Sequence, residues 1–491
     1  MKLIGKIALG ALALVALLVV VIAVRTLTYK TPASADLGGV KLAAPVAVDR
    51  AMAAQHLSQA IGFQTVSHQD KADDQPEQWD KLHAWLQVTY PAAHTAMTRE
   101  VISDHTLVYT WQGSDPSLAP IVLMAHQDVV PVTPGTEGDW KHPPFDGVIA
   151  DGAVWGRGAI DDKGSLVTLF EGVETLAAAG FKPKRTVILV SSHDEEVRGQ
   201  GARAAAALLK SRNITAQFVL DEGMAIISDN PITGGPVALI GVGEKGYGTL
   251  TLVAKAAGGH SSAPPEGSGG VVVLSRALVK IAEAQFPLKL DGPGAAMLQV
   301  LAPEGSWPIR MAVANRWLFE PVIRSQVAAT PAGAALLHTT IAPTMLKGSP
   351  KENVLPQDAT AWINYRIAPG DTAQGVLDHT KAAVGDLPVD IAWLKTPDEP
   401  SPVSSTSSDS WKILAALAGE SAKAPVAPGL VTAGTDSRYL QPVAKDVYRF
   451  QPMVFSLEGI SMIHGTNEHM TLENLERAVQ FYARLIATAA G

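Results

Sequence analysis

The feature that most constrains this chain is an alternation between residues 121 and 220. Residues 121–124, 186–192 and 215–220 are short apolar or β-branched runs, as buried strands are. Between them, 162–179 places Leu166, Leu169, Phe170, Val173, Leu176 and Ala177 on one helical face, with Gly180 and Pro183 to stop it. Residues 201–212, rich in Ala and Leu, predict a second helix. Strands joined through helices pair in parallel, so this order predicts an α/β domain: a mixed, largely parallel sheet flanked by helices. In such a sheet, ligands gather outside the carboxyl ends of the strands.

The 491 residues are too many for one ordinary core. The pattern divides them into an N-terminal apolar helix (1–30), a Pro/Ala/Ser/Gly-rich tether (31–45), a first part of the α/β domain (46–246), a smaller inserted α+β domain (247–396) and a second part of the α/β domain (397–491). Residues 249–255 and 359–367 alternate like half-buried strands, 270–284 reads as a helix, and 287–343 reads as a long Pro/Gly-rich stretch. A last helix is expected over 472–489, capped by Thr471.

Residues 7–24 carry no charge and are flanked by Lys2, Lys6, Arg25 and Lys30. Eighteen such residues reach the length that spans a bilayer and exceed a usual signal-peptide core. We expect an uncleaved membrane anchor with the body outside the cytoplasm, periplasmic or extracellular. Secretion after cleavage at the small-x-small site Ala33-Ser34-Ala35 is the alternative. The net charge of −8 offers no basic field for nucleic acid. With no cysteine, thiolate ligands, disulfides and a thiol nucleophile are excluded, so any metal site must use His, Asp and Glu.

The polar residues that interrupt the apolar pattern fall at the expected strand ends. The first strand runs into His126-Gln127-Asp128, the second into His193-Asp194-Glu195-Glu196, the third into Asp221-Glu222, and GRGAIDDKG (156–164) precedes the long helix with Asp161 and Asp162. So many carboxylates on one edge repel unless a divalent cation sits among them. His126 and Asp128 share a face of an extended segment, where an imidazole can ligate while the carboxylate orients it. Adjacent Glu195 and Glu196 project differently, so one can bind a metal while the other acts as general base.

The ordered set MAHQDVVP, WGRGAIDDKG, SSHDEEVRGQGA, LDEG, AGGHSSAPP, ENVLP and IHGTNE resembles the co-catalytic metallopeptidase family of carboxypeptidase S, aminoacylase and carboxypeptidase G, nearest the carboxypeptidase S and N-acyl-amino-acid hydrolase branch. The resemblance implies two Zn²⁺ ions per chain, with other divalent metals such as Co²⁺ possible. His126 would bind one metal, oriented by Asp128, and Asp161 would bridge both. Glu196 and His464 would bind the second, and either Asp221 or Glu222 would complete the first. Glu195 would be the general base and His260 would stabilise the oxyanion, while Asn353, Arg366 and Arg438 would contact substrate. Asp162 receives no direct role, and His142, His193 and His469 are left as non-ligands. The activity implied is hydrolysis of an amide in N-acyl amino acids or short peptides with a free carboxylate. A homodimer through the inserted domain is also implied. A tethered protein that binds metal or peptide without turnover is the alternative, against which the retained Glu195 argues.

Overall fold

The computed structural model describes residues 2–32, 37–264, 266–267 and 269–491. The small-x-small site at 33–35 lies outside the described residues.

The protein is mixed α/β. Four strands, Val187–Ser191, Ile121–Met124, Phe218–Asp221 and Val447–Arg449, lie side by side in that order, and every neighbouring pair is parallel. Leu123 stands opposite both Leu189 and Leu220. Antiparallel Thr106–Trp111 and Thr98–Ile102 extend one side, and Val237–Glu244 joins the other. Every residue of Ile121–Met124, Val187–Ser191 and Phe218–Asp221 is buried, as strands covered on both faces must be. Ile121 and Leu123 enter the core that holds Phe170, Val173 and Phe481, from helices Lys163–Ala178 and Leu472–Ala490. Val122 and Met124 point to the other face, toward Ala202, Ala205 and Leu209 of helix Gly201–Ser211. Truncating a residue such as Leu123 to Ala would cost about 2–5 kcal/mol. Gly172 lets the two large helices approach, since a Cβ there would lie 3.0 Å from Ala483 N. Thr471 caps the last helix by accepting from Asn474 N.

The chain leaves this sheet after Glu244 and returns at Ser401. The crossings lie side by side, with Ser401 Oγ accepting from Glu244 N at 2.8 Å and Glu244 O accepting from Ser401 N at 3.1 Å. Between them stands a four-stranded antiparallel sheet in the order Thr340–Lys347, Asp358–Ile367, Gly246–Lys255, Val389–Trp393. The helices Gly270–Glu283 and Ala373–Val384 cover one of its faces around a separate core of Leu250, Leu252, Ile363 and Tyr365.

The Pro/Gly-rich stretch 287–343 holds the helices Gly292–Leu301, Trp307–Ala314, Arg316–Val327 and Pro331–Leu337, packed around Leu290, Leu298, Val313 and Ile323. Pro293, Pro308 and Pro331 each sit in the first turn of a helix, where the missing N–H costs nothing, so these prolines start helices rather than break them. Of the segment 31–45, Leu37, Leu42 and Ala43 are held against the body. Leu37 and Leu42 pack on the main core, Ala43 N donates to Thr488 Oγ1 at 3.0 Å, and Arg484 Nε donates to Ala43 O at 2.8 Å. At the N-terminus, helix Lys2–Leu27 includes a span, Ile4–Leu27, long and apolar enough to cross a membrane; it is exposed over most of its length, while Thr26 near its end is buried.

Candidate active site

Because the central strands are parallel, their carboxyl ends share one edge, and the acidic residues meet there. Asp161, just before helix Lys163–Ala178, stands between two imidazoles. Its Oδ1 lies 2.9 Å from His126 Nε2 and its Oδ2 3.0 Å from His464 Nε2. Glu222 Oε1 lies 3.7 Å from the same His126 nitrogen, and Glu196 lies 3.1 Å from His464 Nε2. His126, Asp161 and Glu196 form one group with ligand atoms within 4.8 Å of one another, and His126, Glu195 and Glu222 form another. His464 holds a left-handed backbone, φ 62°.

These distances suit divalent cations. Ligands at ~2.0–2.2 Å in a tetrahedron stand ~3.3–3.6 Å from each other, close to the separations found here. The electrostatics agree. Burial first, and then Asp436, Glu196 and Asp128, push the Glu195 carboxyl well above its usual range. Burial and the charge of Asp161 raise Glu196 to about 7 even though His464 opposes the shift. Glu222 is raised by burial and by Asp161 and Asp162. Asp161 moves the other way: its hydrogen bonds to His126 and His464 overcome burial and hold it low. Those two carboxylate neighbours, Asp161 before Glu196, lift His464 to about 10. A cluster that needs protons to offset its charge can exchange them for metal.

Asp128 is fully engaged behind the ligands. Its Oδ1 lies 3.3 Å from His126 Nδ1 and accepts from Glu195 N at 3.1 Å. Its Oδ2 accepts from Ser67 Oγ at 2.6 Å and Glu196 N at 3.0 Å. One carboxylate thus holds both His126 and the Glu195–Glu196 loop. Asp221 is turned away, its Oδ2 accepting from Ser437 N at 2.8 Å, so of the two candidates in LDEG only Glu222 faces His126.

Two positioning groups were missed in the sequence. Glu468, wholly buried, accepts from the backbone N–H of Gly158, Ile160 and Asp161 and pairs with Arg157 Nη1 at 2.7 Å. It lies inside IHGTNE, four residues past His464, which was its only sequence signal. Asp162 accepts from His126 N at 3.2 Å and Gln451 Nε2 at 2.9 Å. The Asp161–Asp162 peptide is cis.

A cleft of about 510 Å³ opens over the carboxylates, and its far wall is cationic. Tyr247 lies between Arg198, 4.1 Å from its ring, and Arg366, at 4.7 Å. Arg198 also pairs with Asp398. Arg438, expected to grip a carboxylate, is tied into this wall: its Nη2 donates to Lys245 O at 3.3 Å and Glu399 O at 3.1 Å, and its Nη1 lies 3.8 Å from buried Glu244. Arg366 lines the cleft with no such commitment among the described contacts. His260 and Asn353 are together but elsewhere. They are exposed on the paired strands Gly259–His260 and Val354–Leu355 and their approach, with Ser261 N donating to Asn353 O at 3.2 Å, and neither lines the cleft. His469 stacks on Trp155 at 4.1 Å, His142 meets that ring edge-on at 5.3 Å, and His193 bonds Thr106 Oγ1 at 2.8 Å.

Imidazoles and carboxylates gathered at the carboxyl edge of a parallel α/β sheet, under a cleft, define a metallohydrolase of the peptidase class. The chain belongs to peptidase family M20/M25/M40, whose sequence model matches residues 122–488. It is 37% identical over 441 residues to probable carboxypeptidase S-like 2 of Dictyostelium discoideum, covering 88% of this chain and 84% of that protein. It is 38% identical over 398 residues to the human N-fatty-acyl-amino acid synthase/hydrolase PM20D1, covering 79% and 78%. The same fold occurs in the M20 family metallo-carboxypeptidase Sso-CP2 of Sulfolobus solfataricus, with TM-score 0.65, 16% identity, and 90% of this chain and 99% of that chain covered.

Proposed function

We propose that this metallopeptidase holds two zinc ions and hydrolyses an amide bond in N-acyl amino acids or short peptides that end in a free carboxylate. The observation that carries the reading is Asp161, whose two oxygens each face a different imidazole at 2.9 and 3.0 Å. His126, Asp161 and Glu222 would hold one ion, and His464, Asp161 and Glu196 the other. When bound, the ions polarise the amide carbonyl and make a water acidic enough to attack near neutral pH. Glu195 takes that water's proton and passes it to the leaving amine; it lines the cleft beside His126 and Glu222, where such a base must stand. Asp128 keeps Glu195 and His126 in register. Arg366, backed by Tyr247 and Arg198, meets the substrate carboxylate, for which a guanidinium fork is the natural partner.

The division into catalytic body (46–246 and 397–491) and inserted lid (247–396) belongs to the same proposal. His260 and Asn353 lie on the exposed side of that lid, so lid closure, or the lid of a second copy in a homodimer, would bring His260 to the carbonyl oxygen. The relatives' names support acyl amino acids as substrates, because one is called an N-fatty-acyl-amino acid synthase/hydrolase. Residues 1–30 anchor the body to a membrane with the cleft outside the cytoplasm. The test is to incubate metal-replete protein and Glu195→Gln with N-acetyl amino acids, N-long-acyl amino acids and dipeptides, reading products by mass spectrometry. Wild type should cleave at least one class, and the variant should keep its metal and lose nearly all turnover. Metal-loaded wild type that cleaves none would make this a binding protein.

A further inference from the structure

The foot of the apolar N-terminal helix is built into the body. Asn315, wholly removed from solvent, donates through Nδ2 to Ile22 O at 3.3 Å and to Thr26 Oγ1 at 3.1 Å, and Thr26 is equally buried. Arg310 donates to Thr26 O at 3.0 Å and Tyr29 O at 3.1 Å, and Arg25 Nε donates to Ala314 O at 3.2 Å. Removing residues 1–30 would strip these acceptors from Asn315 and Arg310, so the helix is part of the finished fold.

These contacts also fix a direction. Arg310 meets the helix at the level of Thr26 and Tyr29, while Ala314 and Asn315 meet it at Arg25 and Ile22. The helix Trp307–Ala314 therefore runs back along the anchor toward its apolar span, and the turn into Arg316–Val327 lies nearest that span. The uncharged run 7–24 is about 27 Å long at 1.5 Å per residue, close to the ~30 Å hydrocarbon core, which puts Ile22 at its edge. At the same level the turn presents Trp317, 58% exposed, with Leu318 and Val322 also exposed. Trp317 and Pro321, and Leu318 and Val322, are i,i+4 pairs, so they form one side of the helix. Such a patch is a liability in water, whereas tryptophan prefers the lipid–water boundary.

We infer that the turn joining Trp307–Ala314 to Arg316–Val327 is a membrane seat: Trp317, Leu318 and Val322 enter the headgroup layer of the bilayer that the N-terminal helix spans. This rests on the reading of residues 1–30 as a retained anchor. Two attachments, one spanning and one interfacial, hold the body in a fixed orientation on the lipid surface, with the cleft at a set height above it.

The chain has no native cysteine, so single-cysteine nitroxide labels report position cleanly. Full-length Leu17→Cys, Trp307→Cys, Trp317→Cys, Leu318→Cys and Val322→Cys would be placed in phosphatidylcholine vesicles. Collision with oxygen, which concentrates in lipid, would be compared with collision with a water-soluble nickel chelate. Labels at 17, 317, 318 and 322 should favour oxygen, and the label at 307, at the far end of its helix, should favour nickel several-fold more. If 17 favours oxygen while 317, 318 and 322 behave like 307, the anchor stands and the seat is refuted. If intact mass shows residues 1–30 missing from membrane-purified protein, the anchor reading fails and takes the seat with it. If labels at 317 and 322 are shielded from both reagents and couple magnetically between copies, the face is a contact between chains, and the seat is again overturned.

Discussion

Asp128→Asn tests the site where it is most interlocked. The native carboxylate offers two acceptor oxygens to three donors, Ser67 Oγ and the backbone N–H of Glu195 and Glu196, and to His126 Nδ1. An amide has the same shape but only one acceptor. If its oxygen takes the Oδ2 place, its NH₂ faces Glu195 N and His126 Nδ1; reversed, it faces Ser67 Oγ and Glu196 N. Either way one loop amide meets a donor, and leaving a buried donor unsatisfied costs about 1–3 kcal/mol. The least expensive response is for the 195–196 loop to move, which displaces the proposed base and a proposed ligand together. His126 Nδ1 keeps the Asp128 carbonyl oxygen at 3.0 Å but loses the negative charge at 3.3 Å, and loss of such a second partner typically lowers metal affinity about 10–100-fold. Turnover should fall by at least the ~10² that a positioned general base supplies. The assay pairs zinc competition against a chromophoric chelator with kcat on the best substrate. Ser67→Ala, which removes one hydrogen bond worth about 1 kcal/mol, is the graded control and should have a much smaller effect. Wild-type zinc affinity and kcat in Asp128→Asn would refute the claim that this carboxylate organises the site.

The two acidic residues after the third central strand should separate cleanly. Glu222→Gln should lower metal content, whereas Asp221→Asn should keep its metal but lose stability through its bond to Ser437 N; metal analysis and thermal unfolding of each would show a reversal if the assignment is wrong. His464→Ala should reduce bound metal by about one ion per chain, and unchanged stoichiometry by elemental analysis would remove it from the shell. His83 is held down to about 4, chiefly by burial, against a partial opposing effect of its hydrogen bond to Gln127 at 2.6 Å. Between pH 4 and 6.5 the unfolded chain binds that proton and the folded chain does not, so stability falls as pH falls through this window, by up to ~3 kcal/mol. Urea unfolding of His83→Gln in chelator should show a flatter pH dependence there, and an unaltered profile would contradict the burial argument.

What the sequence determines by itself is element type and edge. Periodicity marks 121–124 and 186–192 as buried strands and 162–179 as a helix, because side-chain spacing follows backbone geometry directly. Once the strands are parallel, their ends must share an edge, so His126, Asp161, Glu196 and Glu222 are brought to one place without any knowledge of their contacts. The helices within 287–343 were not legible because Pro at a helix start and Pro in a loop look the same along a chain. Only the tertiary structure decides that Asp161 turns one oxygen to His126 and the other to His464, 303 residues further on. It alone turns Glu222 toward His126 and Asp221 toward Ser437, ties Arg438 into a wall, leaves His260 outside the cleft and locks Asn315 against Ile22. Those outcomes depend on which distant surfaces pack together, and no local spacing rule carries that information.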